Sequence, residues 1–308
     1  MSTKPDPDAD SIRFLEQKPI LKNYTHRPPG GSLFHYTSSA GLIGILRNRN
    51  VWASNQELLN DESEMTFSAN VLNANFAQYL AQGSATDTEA IAQLQHYFSQ
   101  ADFSTLPISA YVASFSDDSD SLSQWERYAD PNGYAVGFSP EPFRDIVVRS
   151  NISTGYPGPL AVVYDEQLQH DLLFEIFETA FEEIGRVSTD QLTGESLKRW
   201  ANFYARIARS ISMNFKHPAF KEEKEWRCSI LKHRDDTEGV EVRTGRFGLV
   251  PYLELPISDD FDNSLSEIVV GPAPYPKEAV RAIHVTLKRF GFDPEKVTVS
   301  TSAAPLRI

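Results

Sequence analysis

The sequence predicts an α+β fold in which a mostly β core is surrounded by peripheral helices. Short β-prone segments begin at Leu33 and return after Pro218, whereas residues 166–217 show the 3.6-residue periodicity of helices. Strands and helices do not alternate regularly, which disfavours a doubly wound parallel sheet. With 308 residues, 41% of them hydrophobic, the chain can bury one large core. We therefore expect a single domain at 32–308 with a helical insert at about 166–217.

Local signals define the elements of the first half of the chain. Residues 1–31 begin with a segment rich in proline and aspartate and predict a flexible lead-in. Alternating apolar residues indicate strands, and Ser, Thr or Asp before an apolar periodic run indicates the start of a helix. In order, we expect a strand at 33–37, a helix capped by Ser38 or Ser39, a strand at 51–54, helices at 61–80 and 86–99, and a strand at 111–116.

The second half of the chain combines short strands with a few well-marked helices. The segment 118–120 caps a short helix that carries Trp125 and Tyr128 three residues apart, hence on one face. Two helices fill the insert, with a break near 189–194, and Pro276 starts the last helix. Further strands are expected at 133–138, 160–164, 225–231, 240–243, 247–255, 267–270 and 297–300, with another helix from Ser139.

Composition and charge argue against several classes of protein. The single cysteine, Cys228, excludes an intramolecular disulfide, and the N-terminus lacks the profile of a signal peptide, so we expect a cytoplasmic location. No apolar run reaches the roughly 18 residues of a membrane-spanning helix, and no membrane partner is expected. The net charge of −13 argues against broad nonspecific binding to nucleic acid. Phosphate-loop, dinucleotide, zinc-protease and paired-cysteine motifs are missing, so we expect no metal site.

Six short motifs occur in a defined order along the chain. They are His35-Tyr36-Thr37-Ser38, Asn60-Asp61-Glu62-Ser63-Glu64, Phe115-Ser116, Trp125 to Ala129, Gly133 to Phe138, and Glu223 to Arg227. In this order the chain resembles a bacterial domain-of-unknown-function family that is distantly similar to ADP-ribosyltransferases of the His–Tyr–Glu type. The chain departs from that family at Phe220, where tryptophan is common, and at Glu62, where proline is common.

The resemblance implies a split, strongly bent β-sheet with NAD bound as a substrate in its cleft. It assigns His35 to a hydrogen bond with the adenosine ribose, and Tyr128, or Trp125 one helical turn earlier, to stacking on nicotinamide. It makes Glu225 the catalytic carboxylate and Glu223 the carboxylate that orients the acceptor. The other expected NAD contacts are Tyr36, Thr37, Ser38, Ser116 and Arg227.

The chemistry of NAD cleavage explains why these residue types suit it. Breaking the nicotinamide–ribose bond develops positive charge on the ribose, as in glycoside cleavage. A fixed carboxylate stabilises that charge more in the transition state than in the ground state, and losing such a group typically costs about 3–4 kcal/mol. If 223–227 is a strand, Glu223, Glu225 and Arg227 share one face while Trp226 points into the core.

Each candidate residue also has a structural interpretation. His35 matches a strand histidine hydrogen-bonded to the backbone, and Trp125 with Tyr128 matches the inner face of an amphipathic helix. The two glutamates match ordinary surface charges, and the motif at 60–64 matches a helix cap. Spacing alone leaves these alternatives open.

The sequence and the resemblance together predict an NAD-dependent ADP-ribosyltransferase-like enzyme with the role of a toxin or defence effector. It would release nicotinamide and pass ADP-ribose to a protein, a nucleic acid or water, and an immunity protein is a second expected partner. One alternative is a catalytically inactive module of the same fold that senses a nucleotide or binds a protein. Another is a hydrolase that uses Glu223 and Glu225 as an acid–base pair.

Overall fold

The computed structural model describes residues 18–25, 30–58, 62–82, 108–129, 132–139, 159–186, 194–245, 248–257 and 260–305. Within these ranges the protein is α+β, with a central, mostly antiparallel sheet and peripheral helices, as the sequence predicts. None of the helices in these ranges combines the length and the apolar character needed to cross a bilayer.

The elements follow the expected order along the chain. The strands are β1 (Leu33–Thr37), β2 (Asn50–Asn55), β3 (Ile108–Ser116), β4 (Tyr134–Phe138), β5 (Leu160–Ala161), β6 (Glu225–His233), β7 (Val240–Gly245), β8 (Gly248–Pro256), β9 (Leu265–Val270) and β10 (Thr298–Thr301). The helices are α1 (Pro19–Thr25), α2 (Ser39–Asn48), α3 (Glu62–Ala81), α4 (Leu122–Tyr128), α5 (Glu166–Arg186), α6 (Gly194–Ser212), α7 (Phe261–Ser264) and α8 (Pro276–Arg289), with 3₁₀ turns at Gln56–Leu58 and Pro218–Glu223.

Most of the expected elements are confirmed by this list. The cap of α2 is confirmed as Ser38, whose side chain accepts a hydrogen bond from the Gly41 N–H. The strand expected at 160–164 is shorter and ends at Ala161. The helices expected at 86–99 and from Ser139 lie outside the described residues.

Contacts divide the chain into two compact units. The first comprises Met1–Arg27, Asn60–Ile108 and Val163–Pro218 and contains α1, α3, α5 and α6. The second comprises Pro28–Leu59, Ser109–Val162 and Ala219–Ile308 and contains the ten-stranded sheet. We call them the helical unit and the sheet unit.

The helical unit is held together by aromatic packing between α3 and α5. The ring of Tyr79 stacks on that of Phe181 at 5.3 Å between centroids, and Phe76 meets Phe177 edge to face at 5.1 Å. Such offset and edge-to-face pairs are the favoured arrangements of aromatic rings in protein cores. The two helices therefore bury one continuous aromatic seam.

A buried carboxylate joins α1 to α5 in the helical unit. The N–H groups of Ile20 and Leu21, in the first turn of α1, donate to the two oxygens of Glu175 at 3.2 and 2.7 Å. These N–H groups have no partner within their own helix, and the helix dipole favours an anion beside them. Pro19–Thr25 thus form a packed helix within the segment 1–31, for which the sequence predicts a flexible lead-in.

The sheet unit has the strand order β10-β9-β4-β1-β3-β2-β8-β7, and β6 pairs with both β3 and β5. Strand β1 pairs with β4 along its whole length, from Leu33–Phe138 to Thr37–Tyr134. It pairs with β3 only at Phe34–Ser116. The two central strands therefore diverge after one residue pair, and the sheet has a break between β1 and β3.

Two hydrophobic clusters cover opposite sides of the sheet. The large cluster takes Leu33 from β1, Phe115 from β3 and Trp226 from β6, together with residues of α2 and α8. The small cluster takes Phe34 and Tyr36 from β1. Because successive strand residues point to opposite sides, the clusters define a large-core side and a small-core side for every strand between them.

Gly133, just before β4, sits where a side chain does not fit. A Cβ there would lie 2.5 Å from the Ala129 Cβ and 2.8 Å from the Thr37 carbonyl oxygen. We expect Gly133→Ala to lower the free energy of unfolding by about 1–3 kcal/mol, because the backbone must shift to relieve this overpacking. Urea titration followed by circular dichroism measures the change.

The matched control for this substitution is Gly44→Ala within α2. A Cβ at Gly44 meets nothing within 4 Å, so it should be neutral or stabilise the protein by up to about 1 kcal/mol through the higher helix propensity of alanine. Equal effects of the two substitutions would contradict the tight packing assigned to Gly133.

Candidate functional site

Several of the residues singled out in the sequence lie on the small-core side of the sheet. Tyr36 belongs to the small cluster itself, together with Trp125 from α4. Ser116 follows Phe115, which enters the large cluster, so its side chain points to the small-core side. The same alternation around Trp226 places Glu225 on that side. Segments far apart in the sequence therefore contribute polar and aromatic groups to one side of the sheet.

Glu225 and Arg227 form a buried ion pair on β6. The Arg227 Nε donates to one carboxylate oxygen at 2.7 Å and its Nη2 donates to the other at 2.9 Å. The side chains are only 7% and 4% exposed, respectively. A bidentate pair of this kind is strong and fixes the plane of the carboxylate. Glu225 is therefore a rigidly held, charge-compensated group.

Glu223 reaches the site from a 3₁₀ turn and not from a strand. The turn ends at Glu223, Lys224 has a left-handed backbone with φ of 45°, and β6 begins at Glu225. The expectation that Glu223 shares a strand face with Glu225 is therefore wrong, because Glu223 belongs to the 3₁₀ turn and the strand starts only at Glu225. The Glu223 carboxylate is nonetheless buried, and it accepts a hydrogen bond of 2.5 Å from Arg127.

Arg127 is a site residue that the sequence reasoning passed over. Its guanidinium holds Glu223 and lies over the Phe220 ring at 5.3 Å, a cation–π contact. Phe220 is the position at which the resembled family often has tryptophan, so the aromatic character that Arg127 contacts is retained. The feature of the sequence that could have indicated Arg127 is its position as the cationic residue next to Tyr128 in the motif at 125–129.

The backbone of the 3₁₀ turn is tied to the end of β3. The Ser116 hydroxyl donates to the Glu223 carbonyl at 2.8 Å, and the Asp117 N–H donates to the Lys224 carbonyl. Ser116 is 1% exposed. Its observed contacts position Glu223, and its expected role as an NAD contact stays a prediction.

The two aromatic residues of α4 have different environments. Trp125 is 2% exposed, contacts the Tyr36 ring edge to face at 4.6 Å, and donates its indole N–H to Asp120 at 2.7 Å. Tyr128 is 50% exposed. The face that their spacing predicts they share is therefore divided, with Trp125 in the core and Tyr128 at the surface.

Tyr36 and Asp120 hold the loop that leads into α4. The Tyr36 hydroxyl donates to the Asp118 carbonyl at 2.7 Å and accepts from the Ser121 N–H at 2.9 Å. Asp120 accepts from the Ala303 N–H at 2.7 Å and from the Ser302 hydroxyl as well as from Trp125. The residues after β10 are thereby fastened to this loop, a contact that no local pattern in the sequence indicates.

His35 lies on the other side of the sheet from Glu225. It alternates with Phe34 and Tyr36 and so shares the large-core side with Leu33, and its ring lies 5.6 Å from the Phe115 ring. The resemblance implies that His35, Tyr128 and Glu225 meet in one cleft. The structure instead places His35 and Glu225 on opposite sides of the sheet. Thr37 lies two residues after His35 on β1, so its side chain points to the same side of the sheet. The Ser38 side chain caps α2.

The His35 ring contacts the backbone of β3. Its Nδ1 lies 2.9 Å from the Ser114 carbonyl oxygen, which only accepts, so Nδ1 carries the proton. Burial lowers the pKa of His35, which keeps the ring neutral near pH 7 and makes Nε2 a hydrogen-bond acceptor. The backbone-bonded interpretation of His35 is therefore confirmed, and a ligand hydroxyl is the kind of group that Nε2 suits.

The remaining candidate residues with described side chains are held in packing or ion-pair contacts. Cys228 lies in the large cluster, and burial raises the pKa of its thiol to about 12, so it stays protonated and is a poor nucleophile. Glu64 pairs with the buried Lys216 inside the helical unit. Asn60 and Asp61 lie outside the described residues.

Comparison with known proteins links part of this region to a family. Residues 124–228 match the family described as "Protein of unknown function (DUF2971)". The matched range includes Trp125, Tyr128, Glu223, Glu225 and Arg227 but not His35. No curated protein and no solved structure matches the chain. The expected similarity to a domain-of-unknown-function family is therefore confirmed over this range.

Removing one half of the buried ion pair should be costly. We expect Arg227→Met to lower the free energy of unfolding by about 3–5 kcal/mol, because Glu225 loses both bonds to its guanidinium while staying buried. Adding Glu225→Leu to this variant should restore much of the loss, since two apolar side chains of similar size need no partner. Urea unfolding of the three proteins measures both effects.

Arg234→Met provides the surface control, because Arg234 pairs with Glu57 and its side chain is 45% exposed. This substitution should cost no more than about 1 kcal/mol. A loss at Arg227 as small as that at Arg234 would show that the Glu225–Arg227 pair is open to water in solution.

His35→Asn should flatten the pH dependence of stability in mild acid. The pKa of His35 is lowered from 6.5, so below pH 6.5 the unfolded chain binds this proton more readily than the folded chain does. Wild-type stability should therefore fall as the pH drops through 6.5. Asparagine keeps an N–H near the Ser114 carbonyl but does not titrate.

Urea unfolding between pH 8 and pH 5 measures this contribution. His233→Asn is the control, because the His233 side chain is 54% exposed. This variant should keep the wild-type slope. Identical slopes for all three proteins would contradict the lowered pKa of His35 in the folded chain.

Proposed function

We propose that the sheet unit is an ADP-ribosyltransferase-like domain that takes NAD as its substrate and cleaves the nicotinamide–ribose bond. The observation that carries the proposal is the meeting of α4 and the segment 223–227 through the Arg127–Glu223 bond. This contact links the helix of the exposed Tyr128 ring to the segment that holds both glutamates. An aromatic surface and fixed carboxylates are the groups that the reaction needs.

Glu225 is the proposed catalytic carboxylate. Its role is to steady the positive charge that grows on the ribose as nicotinamide leaves, through a hydrogen bond from the 2′-hydroxyl. Arg227 holds each of the two carboxylate oxygens with one hydrogen bond. In this proposal Arg227 keeps the carboxylate oriented toward the ribose.

Tyr128 is the proposed stacking partner of the nicotinamide ring. Arg127, the residue before it, is anchored on Glu223, which limits the movement of α4. Glu223 itself would orient the acceptor only if Arg127 releases it. His35 lies on the opposite side of the sheet from Glu225. A contact between its Nε2 and the adenosine ribose is therefore proposed separately, and the variant that tests this contact is His35→Asn.

The acceptor of ADP-ribose would be a protein, a nucleic acid or water. A toxin or defence role follows from the same chemistry, because depletion of NAD or modification of a macromolecule harms the cell that contains the enzyme. An immunity protein that blocks the small-core side belongs to this proposal.

A second candidate function is a module that binds a nucleotide without turnover. It is favoured by the pairing of both glutamates with arginines, because a compensated carboxylate attracts a developing cation less strongly than a free one does. In that case the site would recognise NAD or ADP-ribose and report its presence to another protein.

Release of nicotinamide from labelled NAD by the purified full chain tests the proposal. We expect Glu225→Gln to slow release by about 10²–10³-fold, because the amide cannot supply the negative charge. Tyr128→Ala should weaken NAD binding by about 1 kcal/mol or roughly fivefold. Glu254→Gln on β8, an exposed strand glutamate, is the control and should release nicotinamide at the wild-type rate.

Calorimetry with NAD and ADP-ribose separates the two candidate functions. Binding without nicotinamide release would favour the sensing module. Neither binding nor release by a folded wild-type chain would overturn both. Release that survives Glu225→Gln in a variant with native circular dichroism would remove Glu225 from the mechanism.

A further inference from the structure

Strand β7 ends the strand order of the sheet, and β8 is its strand partner in the described part of the chain. Val242 lies opposite Pro251, and because proline has no N–H to donate, this is a non-hydrogen-bonded pair. Bonded pairs alternate along an antiparallel ladder, so Arg243 and Glu241, on either side of Val242, bond to β8. The N–H and C=O groups of Val242 therefore point away from the sheet.

The free edge of β7 is bordered by exposed apolar side chains. Val242 is 55% exposed, and Leu249, which lies opposite Thr244 on β8, is 70% exposed. Both share the side of the hairpin that carries Leu253 into the large cluster. The apolar side of the sheet thus continues past the core to the open edge, where it meets solvent.

Two opposite charges flank Val242 on the other side of the hairpin. Glu241 precedes it and Arg243 follows it. Arg243 is held in place by a hydrogen bond of 3.0 Å to the Ser54 hydroxyl, and its guanidinium lies 6.0 Å from the Trp52 ring centroid. The residues along β7 are therefore negative, apolar and positive in order, with the Arg243 guanidinium turned inward across β8 toward β2.

We propose that this edge pairs with β7 of a second copy of the chain, antiparallel and centred on Val242. In that register the outward N–H and C=O of Val242 exchange hydrogen bonds with those of its copy. Each Glu241 lies opposite the Arg243 of the other chain, and Arg243 exchanges its contact with Ser54 for this Glu241. Opposite charges are the favourable arrangement across a strand pair. The two Val242 and two Leu249 side chains form one apolar strip on the opposite face.

The choice of a second copy rests on this charge complementarity. Charged residues on an edge strand normally discourage pairing with foreign strands. Here the order of the charges makes the strand complementary to itself when antiparallel, because the positions on either side of the central valine carry opposite signs. A strand of another protein would need the same order of charges to fit.

Charge exchange between two single variants is the decisive experiment. Sedimentation equilibrium should show a concentration-dependent dimer for the wild-type chain. Arg243→Glu places two glutamates on each strand and Glu241→Arg two arginines, so either variant alone should raise the dissociation constant at least about tenfold. An equimolar mixture of the two variants should dimerise again, because both cross-strand pairs are then opposite in charge.

Val242→Pro tests the backbone contact separately. It removes an N–H that points away from β8, so the hairpin should survive while the dimer is lost. Circular dichroism checks the fold of each variant. A monomeric wild-type chain at high concentration, a dimer unaffected by the single charge changes, or a mixture that stays monomeric would each overturn the proposal.

Discussion

The two-residue alternation of β6 is the constraint on which the candidate site depends. Trp226 and Cys228 enter the large cluster, so Glu225 and Arg227 must lie on the other side of the same strand. Both are buried there, and a buried charge is tolerated only with a partner. Residues two apart on a strand are neighbours on one side, so each compensates the other. The ion pair thus follows from where the strand places its apolar residues.

Polar contacts between distant segments turn this side of the sheet into a fixed scaffold. Arg127 reaches Glu223, Ser116 holds the carbonyl of Glu223, and Asp120 joins Trp125 to the residues after β10. A functional site needs groups held in place by such supporting contacts. The same rigidity serves a catalyst that must orient a carboxylate and a module that only recognises a nucleotide.

Local patterns predicted the strands well because alternation and turn residues are encoded within a few positions. They failed where a partner lies far away in sequence. The local pattern predicts a flexible segment where α1 forms, because Glu175, which stabilises α1, lies about 150 residues later. Trp125 and Tyr128 are about 60° apart around α4, which is enough for one to be buried and the other half exposed.

The sequence by itself determined the α+β class, most of the strands, the cap of α2 and the opposite orientation of Trp226 and Glu225. Only the tertiary structure decided that Glu223 pairs with Arg127 and that His35 faces away from Glu225. The physical reason is that alternation relates neighbours within one strand. Which side of a strand meets which side of another depends on pairing between segments that no local pattern specifies.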